Sequence, residues 1–174
     1  MPAIKIAASR AIITEQQLGV SMGSAGGATR GELQSVQRIG SAKSWARPDA
    51  GKIAAIQSAG LVEVESVFAH APKVLEREKN TLKNVVAAQE SPNMKFFGAG
   101  VSRISYQRVS VTGNTAEAVS DVDTWSHFAM KDAGGRFQEV CPQNTLVVTT
   151  SLELSQGQWV VTDLRWVFTP STMP

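Results

Sequence analysis

The chain holds one cysteine, Cys141, and two histidines, His70 and His127, 57 positions apart in 174 residues. A lone thiol cannot close an internal disulfide, and without a second cysteine or a nearby histidine it lacks a zinc ligand set. No metal and no other cofactor is expected. No stretch approaches the roughly 20 apolar residues of a membrane-spanning helix. Lys and Arg total 17 against 15 Asp and Glu, a net charge of +2. They never gather into a block, so the electrostatic footprint of nucleic-acid binding is missing. Gly23, Gly26, Gly27 and Gly31 follow no strand and precede no Gly-Lys-Ser/Thr, which excludes a phosphate loop. Met1-Pro2-Ala3-Ile4-Lys5-Ile6-Ala7-Ala8 carries a lysine inside its apolar stretch and has no continuous signal-peptide core. The expected location is cytoplasmic as written, and extracytoplasmic if these residues are part of a longer membrane-anchored protein.

What is present suits one soluble globular domain: 43% apolar residues, 18% charged residues and a mean hydropathy of -0.08. Residues 1–47 are rich in Gly, Ser and Ala and read as a partly flexible arm, with short helical pieces at Ile4–Leu18 and Gly31–Ile39. Residues 48–170 read as the folded domain. Pro48-Asp49 marks a helix entry, and Ile53, Ile56, Leu61, Val64, Val67 and Phe68 recur at helical spacing up to Ala69. Pro72 starts a second helix, with Val74, Leu75, Leu82, Val85 and Val86 as its apolar stripe. Glu76, Arg77, Glu78, Lys79 and Lys83 read as its solvated face. Ser91-Pro92-Asn93 ends it. The period then changes. Arg103–Thr112, Ala116–Met130, Asn144–Leu154 and Gln158–Phe168 are rich in Val, Thr, Ile and Trp and are separated by Gly113-Asn114, Asp132–Gly135 and Ser155-Gln156-Gly157. Helices followed by a meander predict an α+β fold, with N-terminal helices packed on a curved, cone-shaped antiparallel sheet of about four long strands.

Three segments carry a family resemblance: Ile104-Ser105-Tyr106-Gln107-Arg108-Val109-Ser110-Val111, the hairpin exit Asn114-Thr115-Ala116-Glu117-Ala118, and the end strand Gly157-Gln158-Trp159-Val160-Val161-Thr162-Asp163-Leu164. Over roughly residues 50–168 the chain resembles the NTF2-like (cystatin-like α+β) superfamily. That superfamily includes nuclear transport factor 2, ketosteroid isomerases and polyketide cyclases. Within it the chain is similar to bacterial Mce-associated and VirB8-like accessory domains, which normally follow a membrane helix. The resemblance implies a conical sheet with a concave pocket and, commonly, dimerisation through the sheet face.

Asp121, Asp123, Trp125 and His127 alternate, so a regular strand points all four to one face. On a concave face, paired acids beside a histidine would do acid–base work if burial raised one carboxyl toward neutrality. On an open face they would be ordinary solvent-side residues. Asp163 and Arg165 share a face of the last strand and could pair with those acids. An Arg-Asp-Asp set would be similar in residue types to the epoxide-opening members of the superfamily, and a cross-strand ion pair is the plainer reading. Tyr106 joins the candidate catalytic set. His70 stands where a cation complements a helix C-terminus. Trp159 and Trp166 are an odd number of residues apart, which predicts opposite faces and one outward tryptophan in need of cover.

Two functions follow as expectations. The leading one is a non-enzymatic NTF2-like interaction domain that self-associates, as a dimer or within a larger protein assembly. The alternative is a small pocket enzyme of isomerase, cyclase or epoxide hydrolase type, acting on an apolar small molecule through Asp121, Asp123, His127, Arg165 and Tyr106.

Overall fold

A computed structural model describes residues 1–24, 50–140 and 142–169. The expectations for Gly26–Gly31, Gly31–Ile39, Pro48-Asp49 and Cys141 lie outside the described residues. Helices α1 (Pro2–Ser24), α2 (Ala50–Phe68) and α3 (Pro72–Glu90) precede strands β1 (Met94–Thr112), β2 (Thr115–Lys131), β3 (Phe137–Val140), β4 (Gln143–Ser155) and β5 (Gln158–Phe168). The class is α+β, as expected. The sheet is antiparallel in the order β1-β2-β4-β5, and short β3 pairs with the far end of β2, beyond the reach of β4.

Helices α2 and α3 form a tight antiparallel pair. The Ala71 amide donates to the Phe68 carbonyl at 2.9 Å, and Pro72, which has no N–H to leave unsatisfied, opens α3. Val64 and Phe68 on α2 and Val74 and Leu82 on α3 enter the main core, while Ile53 packs with Val85 and Val86 in a separate small cluster. His70 is exposed between the two helices.

Strand β2 sets the two faces of the sheet. Ala116, Ala118, Ser120, Val122 and Thr124 are buried under the helices, and the residues between them are partly exposed. Strand β4 repeats this with Leu146, Val148, Thr150 and Leu152. Strand β1 follows β2 along nearly its whole length but has an extra residue at Phe97, Ser102 and Gln107. Each bulge bends the strand and increases its twist, which is how so long a hairpin curves around a core.

Two expectations change here. Residues 1–47 read as a partly flexible arm with a helical piece at Ile4–Leu18; helix α1 spans that piece, and its Ile4, Ala8, Ala11 and Ile12 lie in the same core cluster as α2, α3 and the sheet. Their spacing is helical, and the alanines let the helix backbone approach the sheet closely. Trp159 and Trp166 do not occupy opposite faces. Thr162 is an extra residue on β5, because Leu152 pairs with Val161 while Ser151 pairs with Asp163. The bulge resets the alternation. Trp159 pairs with Leu154 and Trp166 with Val148, both on the helix side.

Both long hairpins turn in two residues. In Gly113-Asn114 the glycine has φ of 57°, the pattern of a type II′ turn. In Gln156-Gly157 both residues have positive φ, 49° and 79°, the pattern of a type I′ turn. Glutamine tolerates that region less well than asparagine. Gln156→Asn is therefore expected to stabilise the protein by about 0.5–1 kcal/mol, read as a raised midpoint in denaturant with an unchanged slope.

Candidate functional site

The five residues singled out in the sequence fall on two sides of the sheet. Asp121 and Asp123 lie on the face the described helices leave open, as does Arg165, paired with Thr149; His127 follows them in the strand alternation, but its Nε2 is buried. Tyr106 pairs with Ser120 and points the other way, under α1. Its hydroxyl donates to the Lys5 carbonyl at 2.8 Å and lies 2.7 Å from the Ser9 hydroxyl. Burial pushes its phenol above the ordinary 10.0. Tyr106 thus anchors the first turns of α1 to β1, and no single constellation contains all five.

On the open face the charged groups engage one another. The Arg103 Nε donates to Asp123 Oδ2 at 2.7 Å, and the Thr145 hydroxyl donates to Asp123 Oδ1 at 2.9 Å. Gln107, a bulge residue, donates to Asp121 at 2.7 Å. Arg108 pairs with Glu117 at 2.6 Å and Arg165 with Asp163 at 3.0 Å. Arg165 therefore meets the acid on its own strand, since β4 separates it from those of β2 by two strand spacings, about 10 Å. The Arg103 hydrogen bond holds the Asp123 carboxyl below its ordinary value, the opposite of what a general base near neutrality needs. Trp125, 38% exposed, lies across Gly100, where an added Cβ would sit 3.1 Å from its Nε1.

A second cluster was not anticipated. Glu78 is only 1% exposed, although the charge run at 76–79 reads as a solvated face. The Arg77 Nε donates to Glu78 Oε1 at 2.7 Å, its Nη2 to Glu15 Oε1 at 2.9 Å and its Nη1 to the Leu164 carbonyl at 2.9 Å. The Trp166 indole also donates to Glu15 Oε1, at 3.0 Å. Glu15 Oε2 and Glu78 Oε2 are both buried without a hydrogen-bond partner. Burial first, and then the charge of Glu78, push the Glu15 carboxyl up to about 7. The signal was present in the sequence: Val74, Glu78 and Leu82 are spaced by four and share one helix face, as Ala8, Ile12 and Glu15 nearly do.

Beside this cluster, Gln16, Leu146, Trp166, Phe168, Thr124 and Asn144 help to wall a cleft of about 160 Å³. A second hollow, of about 340 Å³, sits at the hairpin end among Ser110, Thr112, Glu117, Ser151, Glu153 and Thr162. None of Tyr106, Asp121, Asp123, His127 and Arg165 lines either one.

No family model and no curated protein matches the sequence. Among solved structures, the intermembrane space region of chloroplast protein ARC6 aligns with a TM-score of 0.47 at 11% identity, over 63% of this chain and 78% of that one. An IcmL-like type IV secretion system protein from Legionella pneumophila aligns with a TM-score of 0.38 at 15% identity, over 83% of this chain and 96% of that one. Overlap this partial carries nothing about chemistry.

Two outcomes are expected. Tyr106→Phe removes the bond to Lys5 and costs about 1–2 kcal/mol of stability, measured by chemical denaturation. Asp123, followed by NMR, titrates below 3.8, and Arg103→Gln moves its midpoint back up. Because its folded value is lowered, the pair's contribution is present above the ordinary value and is lost as pH falls through the folded one.

Proposed function

We propose that this chain is a non-enzymatic interaction domain of NTF2-like architecture that forms a homodimer through the sheet face that the described helices leave open. One observation carries the reading. Val119 on β2, Val147 on β4 and Val167 on β5 lie on that face, with Val147 directly paired to Val167 and Val167 64% exposed. Around this strip stand the ion pairs Arg103–Asp123, Arg108–Glu117 and Arg165–Asp163. An apolar centre with a polar rim is the usual anatomy of a specific interface. A surface of balanced charge can also face a two-fold copy of itself, because each arginine of one copy can meet an acid of the other.

The pocket-enzyme alternative, acting on an apolar small molecule, draws support from the cleft walled by Trp166 and Phe168. Its volume of about 160 Å³ is below the roughly 300–1,000 Å³ of ordinary ligand pockets. The carboxylates Asp121 and Asp123 also lie across the sheet from it, which makes the interaction reading the better supported one.

Size-exclusion chromatography with light scattering on the full chain tests this. The wild type is expected to be a dimer, and Val147→Asp a monomer with the wild-type circular dichroism spectrum. A monomeric wild type at high micromolar concentration would sink the reading. So would a dimer that survives Val147→Asp paired with Val167→Asp. No helix among the described residues is long and apolar enough to cross a membrane.

A further inference from the structure

Two largely buried carboxyls, Glu15 and Glu78, meet the guanidinium of Arg77, itself 40% exposed, where α1, α3 and β5 come together. If both Glu15 and Glu78 were ionised beside Arg77, the junction would hold one uncompensated negative charge, and each carboxylate would keep one oxygen buried without a donor. A buried unpaired charge is the costliest thing a protein interior can contain. Among the described residues, the other elements at this junction offer no second cation. From β5 come only the Trp166 indole and the Leu164 carbonyl. From α2, Glu63 is engaged by Arg10 and Thr14 of α1, and Glu65 pairs with Lys79 of α3. Asp163 and Arg165 pair with each other on the far face of β5.

We propose that Glu15, Arg77 and Glu78 form a proton-binding site in which the two carboxyls share one proton, so that proton uptake is coupled to the seating of α1 on α3 and β5. One proton makes the cluster neutral and supplies the missing donor between the two orphaned oxygens. It needs no movement of Arg77, whose donors are already committed to Glu15, Glu78 and Leu164. The upward displacement of Glu15 agrees with this. A carboxyl raised in the folded state adds stability that is complete below its ordinary value of 4.5 and is lost as pH rises through about 7. The junction is thus firm in acid and loosens on the alkaline side of neutrality. Trp166 reports on it directly and also walls the neighbouring cleft, so the same proton tunes the shape of that cleft.

The test uses the full chain. The Trp166 indole N–H resonance, assigned with Trp166→Phe, is expected to titrate with a midpoint near 7. The melting temperature is expected to fall by about 5–10 °C between about pH 5 and about pH 8. In Glu15→Gln, which supplies a permanent neutral donor, both dependences vanish and the alkaline melting temperature is the higher one. In Glu78→Gln the midpoint moves down. A wild-type indole that titrates in the ordinary carboxylate range, or a titration near 7 that persists in Glu15→Gln, overturns the proposal. Because Glu15→Gln is isosteric and read against its own acid value, a general loss of stability does not mimic the result.

Discussion

The seating of α1 in the hollow of the sheet is the constraint on which the rest of the structure depends. This helix touches α2, α3 and four of the five strands, and its residues Ile4, Ala8, Ala11 and Ile12 lie inside the common core. Burying an isoleucine is worth about 1.5–3 kcal/mol, whereas a typical hydrogen bond nets about 0.5–1.5. The apolar stripe therefore supplies most of the adhesion. The polar contacts select one position for it: the Tyr106 hydroxyl fixes the start of the helix through Lys5 and Ser9, and Arg77 with Trp166 fixes it further along through Glu15.

The open face of the sheet obeys a different logic. Asp121, Asp123, Asp163 and Arg165 each have a partner in the same face, so their polar groups are turned on one another. Exposed pairs of this kind add little stability, with medians of about 0–1 kcal/mol. In the proposed interface their use is in orientation. A surface that is apolar along Val119, Val147 and Val167 and balanced in charge at its margin can specify a contact without making the free chain insoluble.

Much of the fold could be read directly from the sequence, because helix and strand periods differ and the turns carry glycine where φ must be positive. The α2 and α3 boundaries agree with those read from Pro72 and the apolar spacing, and four of the strands agree apart from the early start of β1. Three features escaped for identifiable reasons. The short strand β3 has too few residues to show a period. The bulge at Thr162 has no residue signature, and one inserted residue put Trp159 and Trp166 on the same face. Glu78 was assigned by its charge and not by its place between Val74 and Leu82, so the most deeply buried acid was read as surface. The candidate acids Asp121 and Asp123 were placed together correctly, but strand alternation alone could not say on which side of the sheet the helices lie.

The indole–carboxylate bond between Trp166 and Glu15 joins groups 151 positions apart. Closing a loop of that length costs more entropy than closing the two-residue turn between β4 and β5. The hairpin can therefore form early from local contacts, while the Glu15 carboxyl must wait for β5 before the Trp166 indole reaches it. The apolar side chains of α1 have partners in α2, α3 and β1, but the Glu15 carboxyl gains its indole donor only once β5 is in place. Closure of this one junction therefore follows the local turn, and until it closes the end of α1 near Glu15 lacks its cover from β5.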